Sequence, residues 1–480
     1  MELTLLKLIF IAITVACLSA VIRTLDIVIW RPQRLRSKLR EQGIQGPPGS
    51  FLVGNLWEMK NHQSHPTAPS KSPLQEDQQA ITHDRSSKLF PFLDRWRQQY
   101  GTVFMFSMGN LQMYVYDVEA VREISTCTSL DFGKPSYQQK ATVKGMMNLM
   151  AESSITLVNS CSEMIVKEGG VAEINIDSHL RSFSGDIFLE LRALQEATSK
   201  IASTSTIPGF RYLPTKSNRE TWKLEREDRS LILKVVKGRK EATSEQDLLK
   251  MILEGAENSS EMGRGEATDR FIVDNCKNIY LAGYETTAFA ASWTLMLLAS
   301  NLRWQAKVRE EVMQVMRSGQ LSDADMIRKM KTISERIPNM NYFTMHSLRL
   351  YLPVAIVSKE ALEDMKFGNI QVPKGVVIWT LMTTLHQDPE IWGPDANQFD
   401  SERFANGVTG ACKLPYVYMP FGLGPRTCLG QNFAMAELKV LLALIISNFS
   451  FSISPKYRHS PALRLVIVPE FGVDLLVRRL

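Results

Sequence analysis

The chain has few cysteines, no internal repeat and no Pro/Gly/Ser-rich linker in the middle of its 480 residues. Its six cysteines, at positions 17, 127, 161, 276, 412 and 428, form no C-x-x-C pair, which argues against a zinc site or a disulfide framework. A net charge of +6 is too small and too dispersed to indicate a nucleic-acid partner. These absences favour one large, mostly helical domain in a reducing compartment.

One long hydrophobic run is present, and it lies at the N-terminus. The stretch 8–22 carries no charge, and such a run can span a bilayer when it tilts. Five cations follow between Arg31 and Arg40, and a basic flank of this kind holds its side of the membrane in the cytosol. A cleaved signal peptide that ends near Ser19-Ala20 is the alternative. The predicted division is a membrane anchor (1–30), a basic and Pro-rich linker (31–55) and the main domain (56–480).

The rest of the chain shows helical patterns with a few strand-like pieces. Helical spacing dominates the stretch 143–345. The other predicted elements are a polar surface loop (61–88), a helix (89–100), a hairpin whose strands 102–108 and 112–116 flank Gly109-Asn110, and short strands around 366–380. The coarse expectation is therefore an α+β domain with a helical majority.

The most informative segment is 421–430, which reads Phe-Gly-Leu-Gly-Pro-Arg-Thr-Cys-Leu-Gly. A cysteine that ligates iron must be deprotonated, and glycines let backbone amides approach its sulfur closely. From Gln431 onward apolar residues recur at helical spacing, so Cys428 lies just before a helix N-terminus, whose positive end stabilises a thiolate. A buried structural cysteine in a Gly-Pro turn is the alternative. The pattern predicts a loop that holds haem iron through Cys428.

A second segment breaks the usual rules for helices. A helix of about thirty residues is expected from Thr268 to Asn301, and residues 282–287 in its middle read Ala-Gly-Tyr-Glu-Thr-Thr. An internal glycine costs about 1 kcal/mol relative to alanine, and an acid on an apolar helix adds a desolvation cost. A functional interpretation explains both costs. Small residues over the haem would leave room for O2, and a threonine hydroxyl can loosen the helix and donate a proton to it. A purely structural kink is the alternative.

Both segments resemble motifs of the cytochromes P450. Residues 421–430 match the loop Phe-x-x-Gly-x-Arg-x-Cys-x-Gly at every fixed position, and residues 282–287 are similar to Ala/Gly-Gly-x-Asp/Glu-Thr-Thr/Ser. Residues 386–399 and the following Ser-Glu-Arg-Phe at 401–404 resemble the meander of that family and its Pro-Glu-Arg-Phe box, with Ser in place of Pro. The resemblance implies the cytochrome P450 fold, mainly α with small β-sheets, after an N-terminal transmembrane helix.

The resemblance also implies roles for individual residues. Cys428 would be the axial thiolate ligand of the haem iron, in a cofactor-binding loop that includes Phe421 and Gly430. Glu285 and Thr286 would deliver protons. Arg426 is expected to hold the haem propionates, together with Lys359, which stands at a position where relatives carry Arg. Electrons would come from an NADPH-cytochrome P450 reductase, for which the expected basic docking face is Lys413, Arg426 and Lys439.

The implied activity is that of a haem-thiolate monooxygenase that hydroxylates a lipophilic small molecule with O2. The basic stretch after the anchor and the helix around Ala282 look most like the plant clan that includes gibberellin-oxidising P450s, which favours a diterpenoid such as a gibberellin. The implied location is the endoplasmic reticulum membrane, with a single span and a cytosolic catalytic domain.

Two features depart from the family pattern. At the family motif Glu-x-x-Arg this chain has His346 in place of Glu, followed by Arg349. In the family the Glu accepts charge-assisted hydrogen bonds from the two arginines that correspond to Arg349 and Arg403. Leaving both arginines buried without it costs about 3–5 kcal/mol. His346 as an iron ligand is the alternative. The second departure is that no tryptophan occurs between Trp96 and Trp222, so the family's Trp-x-x-x-Arg helix, which holds a propionate, is missing near position 140.

Together these departures suggest an aberrant or misassembled gene product. Trp222 and Arg226 have the Trp-x-x-x-Arg spacing but lie some eighty residues too late, so we interpret them as a coincidence. One alternative function is therefore a catalytically impaired remnant with weak or no haem binding. A haem-thiolate isomerase or dehydratase is a further alternative, disfavoured because such enzymes tend to lose the helix threonine that this chain retains at Thr286.

Overall fold

The structure is a computed structural model, and it describes most of the chain. The described residues are 2–50, 54–59, 81, 83–108, 110–129, 132–133, 147–183, 213–241, 253, 256, 265–317 and 337–480. The sequence predicts that the Trp-x-x-x-Arg helix is missing near position 140, and that position lies outside the described residues. Most of the predicted surface loop 61–88 also lies outside them.

Helices make up most of the described residues. They are α1 Glu2–Leu25, α2 Arg31–Arg40, α3 Ser86–Leu89, α4 Pro91–Tyr100, α5 Val118–Thr126, α6 Met147–Lys167, α7 Ile176–Phe183, α8 Lys216–Glu241, α9 Glu266–Ser300, α10 Leu302–Arg317, α11 Pro338–Leu350, α12 Met382–Gln387, α13 Pro389–Trp392, α14 Gly407–Ala411 and α15 Gln431–Asn448. A π-helical stretch, Asp26–Trp30, joins α1 to α2. Short 3-10 helices cover Ser401–Phe404, Pro415–Val417 and Gly424–Arg426.

Twelve short strands are described, and they form four small sheets. They are β1 Val103–Met108, β2 Asn110–Val115, β3 Phe132–Gly133, β4 Val171–Asn175, β5 Ile356–Ala361, β6 Met365–Phe367, β7 Ile370–Val372, β8 Val377–Leu381, β9 Phe449–Ile453, β10 Pro461–Leu463, β11 Ile467–Pro469 and β12 Asp474–Arg479. The largest sheet has the order β1-β2-β8-β5-β3. Its predicted hairpin is confirmed, since Met108 pairs with Asn110 across the turn in an antiparallel register. The helical majority with small sheets confirms the α+β expectation.

The long helix α9 runs through the core and packs against α15. Residues 288–299 of α9 are buried, because its C-terminal half is apolar on all sides and has helices or strands around it. The helix begins at Glu266 rather than at the predicted Thr268, after Gly265, whose φ of +103° an L side chain rarely adopts. It ends at Ser300, one residue before the predicted end, and Asn301 is its C-cap. The fold thus positions residues 282–287 where α9 leaves the dense core.

The basic segment after α1 packs onto the main domain. Leu39 of α2 is fully buried, and Arg36 Nη2 donates to Ser107 Oγ at 2.7 Å. The Gln42 side chain exchanges two hydrogen bonds with the backbone of Gln371, at 2.7 and 2.9 Å. Within the part of the chain that the structure describes, no helix is both long and apolar enough to cross a membrane, so the predicted transmembrane helix is not confirmed.

The end of the predicted surface loop 61–88 is not at the surface. Arg85 is fully buried, its guanidinium lies 4.6 Å from the centre of the Tyr351 ring, and burial lowers its pKa to about 10. The side-chain oxygen of Gln387 accepts hydrogen bonds from the backbone amides of Arg85 and Ser86, both at 3.3 Å. The prediction was wrong here because a polar composition does not reveal a partner 300 residues away in the sequence.

Candidate functional site

The cysteine loop is held closed by its own backbone. The Cys428 amide donates to the Phe421 carbonyl at 2.7 Å, and both the amide and the hydroxyl of Thr427 donate to the Gly424 carbonyl, at 3.0 and 2.7 Å. The Cys428 side chain is exposed, and α15 begins at Gln431, three residues later. The loop therefore presents an exposed thiol at the predicted place, just before a helix N-terminus.

Gly424 lets the cysteine loop lie against the end of α5. Its φ is +73°, and a Cβ atom there would stand 2.7 Å from the Ser125 carbonyl oxygen. Lys359 reaches the same helix end, where its Nζ donates to the Ile124 carbonyl at 2.6 Å. Burial, with a smaller effect from the nearby Arg426, lowers the pKa of Lys359 to about 8. The two residues predicted to hold propionates are thus close together, with Arg426 exposed and Lys359 buried.

The central segment of α9 is open on one side. Ala282 and Gly283 are exposed, Glu285 and Thr286 are half-buried, and a Cβ atom at Gly283 would meet nothing within 4 Å. The Thr286 hydroxyl donates to the Ala282 carbonyl at 2.6 Å. The backbone nevertheless stays α-helical from Glu266 to Ser300, so the expected loosening of the helix is absent there. The small residues leave space beside the helix without breaking it.

These surroundings fit a flat, apolar prosthetic group that takes one thiolate ligand. A Cβ atom at Gly430, like one at Gly283, would meet no atom within 4 Å. Leu429, next to the exposed thiol of Cys428, has 49% of its surface exposed. An exposed thiol, an exposed leucine and two glycines that face open space are what a haem would cover. The donor set, a single cysteine in a glycine-rich loop, suits haem iron.

Sequence reasoning missed one acidic residue between the two helices. Glu437 on α15 is hydrogen-bonded to the side chain of the buried Thr287 on α9, and burial raises the pKa of its carboxyl to about 7. The signal available in the sequence was a lone acid within the mostly apolar stretch 433–446. Thr286 and Thr287 thus have different partners, the first in its own helix and the second on α15.

Arg349 and Arg403 lie in the core as predicted, but backbone carbonyls and an aspartate replace the expected acid. Arg349 Nη1 donates to the carbonyls of His386 and Ala396, at 2.8 and 2.7 Å. Arg403 Nη2 pairs with Asp395 Oδ2 at 2.5 Å, and this pair lowers the pKa of Asp395. Burial, with Arg403 nearby, lowers the pKa of Arg349 to about 9.

His346 occupies the position of the acid as a neutral imidazole. Its Nε2 lies 3.2 Å from the Asp400 amide, 3.3 Å from the Gln398 carbonyl and 3.4 Å from Arg349 Nη2. Burial first, then Arg349 and Arg403, lower the pKa of His346 well below its ordinary value. In the described part of the chain, the buried atoms without a hydrogen-bond partner include His346 Nδ1, Arg349 Nε and Arg403 Nε. The cluster therefore lacks an acceptor that a carboxylate could supply.

The predicted docking face needs a correction. Lys413 and Arg426 are exposed, but only 8% of Lys439 is exposed, and burial lowers its pKa. Lys439 lies in the buried part of α15, beside Leu438 and Val440, so it cannot contribute to an exposed basic surface.

Comparisons with known proteins agree with this site. A family model described as Cytochrome P450 matches residues 157–476. Cytochrome P450 714C2 of Oryza sativa subsp. japonica is 42% identical over 511 residues, covering 95% of each chain. Cytochrome P450 714A2 of Arabidopsis thaliana is 38% identical over 502 residues, covering 92% of this chain and 93% of its own. Cytochrome P450 714B3 of Zea mays is 38% identical over 504 residues, covering 94% and 92%.

The first of these alignments is longer than the chain itself. It extends over 511 positions, against 480 residues here, so the rice relative has segments that this chain lacks. Trp222 and Arg226 have the Trp-x-x-x-Arg spacing but not the expected position near 140. They lie on α8, where Arg226 Nε donates to the carbonyl of Trp222 at 3.1 Å.

Proposed function

Because the chain belongs to the cytochrome P450 family, we propose that it is a haem-thiolate monooxygenase that hydroxylates a lipophilic small molecule with O2 and electrons from an NADPH-cytochrome P450 reductase. The observation that supports this most is the exposed thiol of Cys428 just before α15, the helix that packs on α9. The haem, when bound, supplies the iron that activates O2. Cys428 would hold that iron, and Arg426 and Lys359 would hold the propionates.

We propose that Thr286 and Glu285 deliver protons to the site. The Thr286 hydroxyl now donates to the Ala282 carbonyl, so a rotation about its side-chain bond must free it to donate toward the open side of α9. Glu285, its neighbour, is half-buried and can resupply the proton.

Replacing Thr286 by alanine should leave haem binding unchanged but divert reducing equivalents into peroxide, because the hydroxyl that donates the proton is lost. The measurement is peroxide formed per NADPH consumed by the reductase-coupled protein. Thr286→Ser is the matched control, since it keeps a hydroxyl and should restore coupling. Equal peroxide yields in wild type and Thr286→Ala would count against the proton-delivery role.

We propose a diterpenoid such as a gibberellin as the substrate. The proposal is supported by the resemblance of the segments after the anchor and around Ala282 to the plant clan that includes gibberellin-oxidising P450s, and by plant relatives of 38–42% identity. Incubation of the reductase-coupled protein with gibberellins and unrelated lipophilic acids tests it, with products detected by mass spectrometry as the gain of one oxygen atom. Conversion of the unrelated acids alone would reject the diterpenoid.

We propose that α1 anchors the protein in the endoplasmic reticulum membrane with the main domain in the cytosol. The helix exposes large apolar side chains such as Phe10, Ile13 and Leu18, at 72%, 57% and 59% of their surfaces. Protease added to sealed microsomes should therefore digest the main domain, because the cations of α2 hold it on the cytosolic side. Protection of the C-terminal domain until detergent is added would show the opposite orientation.

A catalytically impaired remnant is the second candidate function. It is favoured by buried nitrogens of Arg349, Arg403 and His346 that have no hydrogen-bond partner, because such atoms weaken the core around them. A haem-thiolate isomerase or dehydratase is a weaker candidate, because Thr286 is retained.

A further inference from the structure

Helix α8 carries a row of exposed cations along one face. The row, called here the α8 cation stripe, comprises Lys216, Arg219, Lys223, Arg226, Lys234 and Lys237. Successive members are three, four, three, eight and three residues apart, and these spacings keep side chains on one side of an α-helix. At 1.5 Å per residue the stripe is about 32 Å long.

The opposite face of α8 holds the helix in place. Asn218, Thr221 and Val236 are buried, and Val236 belongs to an apolar cluster with Ile272 of α9. Because that face is packed against the core, the stripe cannot turn inward. The cations therefore form a fixed, outward-facing row rather than a flexible tail.

The carboxylates on α8 compensate the stripe only in part. Glu227 pairs with Lys223 at 3.6 Å, and both side chains are well exposed. Exposed pairs of this type on a helix contribute little stability. Glu220 is also exposed near the first cations. Glu225 is a third exposed acid on α8, so three acids stand against six cations and the described side chains of the helix keep a net positive charge.

We infer that the α8 cation stripe binds the surface of a membrane that contains anionic lipids. A straight, rigid row of cations can bring all its charges to a plane of headgroups at once, and basic rows of this kind are attracted to anionic leaflets. Leu213, three residues before the first cation, has 51% of its surface exposed, and an apolar side chain beside a basic row is typical of membrane-surface contacts. This contact is independent of the catalytic activity proposed above.

Lysine acetylation read by mass spectrometry tests the inference on the full-length chain. The protein is incorporated into vesicles of phosphatidylcholine alone, or of phosphatidylcholine and phosphatidylserine, and the acetylation rates of Lys216, Lys223, Lys234 and Lys237 are measured against the exposed Lys413. Anionic vesicles should slow acetylation of the stripe several-fold, neutral vesicles should not, and high salt should restore the rates because it screens the charges. Each cation removed should weaken binding about fivefold.

A charge-reversal set separates the stripe from the overall charge. Lys216→Glu, Lys223→Glu and Lys234→Glu together should abolish the protection of Lys237. The matched set Lys167→Glu, Lys366→Glu and Lys456→Glu, all exposed positions off α8, should leave that protection intact. Equal acetylation rates of the stripe lysines in neutral and anionic vesicles would overturn the inference and would favour an acidic protein as the partner of the stripe. Equal loss of protection in the two sets would also overturn it.

Discussion

Replacing His346 by glutamate is expected to stabilise the protein by about 3–5 kcal/mol and to raise its haem content. Arg349 Nε and Arg403 Nε are buried without hydrogen-bond partners, and a carboxylate at position 346 can accept from guanidinium groups, whereas a neutral imidazole offers a single lone pair. The new charge also offsets two buried cations, for which the described residues provide one ion pair, that of Arg403 with Asp395. The measurements are the melting temperature and the haem-to-protein ratio.

His346→Gln is the matched control for this experiment. It removes the imidazole without adding charge, so it should recover little of the stability gained with glutamate. An unchanged melting temperature and haem content in His346→Glu would show that the carbonyls around Arg349, together with Asp395, already satisfy the cluster, or that the missing Trp-x-x-x-Arg helix prevents assembly. Inserting such a helix after Gln139 distinguishes these outcomes, because only the second requires it.

Mild acid should destabilise the protein strongly. His346 and His386 are fully buried, burial lowers the pKa of His386 to about 3, and the pKa of His346 also lies well below its ordinary value. The unfolded chain takes up protons at these histidines below about pH 6.5 while the folded chain does not, so stability falls as the pH drops from about 6.5 toward 3.

The expected loss at pH 5.5 is about 1.4 kcal/mol for His386, and His346 adds to the loss in the same direction. His83 has a similarly low pKa, near 3, but is partly exposed, so it is left out of this figure. Urea unfolding between pH 7.5 and 5.5 measures the loss. His346→Gln should show a smaller loss than wild type, because one of the two titrating groups is gone. A stability that is flat over this range would mean that both imidazoles are protonated in the folded protein.

Local features of the site were predictable from the sequence. The cysteine loop, the start of α15 at Gln431 and the small-residue segment of α9 depend on neighbours within a few residues, where glycine content and helical spacing are informative. The hairpin of β1 and β2 was predictable for the same reason.

Contacts between distant segments were not predictable in this way. Nothing local distinguishes Lys439, which is buried, from Lys413, which is exposed, until α15 is packed in the core. Arg85 likewise looks like a surface residue until Gln387 and Tyr351 are placed beside it. The pairing of Glu437 with Thr287 joins two helices 150 residues apart, and a lone acid in an apolar run was its only trace in the sequence.

The reduced, CO-bound difference spectrum of the haem-loaded protein tests the central claim most directly, because the position of its Soret band reports whether a thiolate is bound to the iron. Wild-type protein should show the red-shifted band of a thiolate–CO complex, and Cys428→Ser should lose it. Cys412→Ser, a change at a half-buried cysteine outside the loop, should keep it. A Cys428→Ser protein that retains the red-shifted band, or a wild-type protein that binds haem without showing it, would contradict the assignment of Cys428 as the iron ligand.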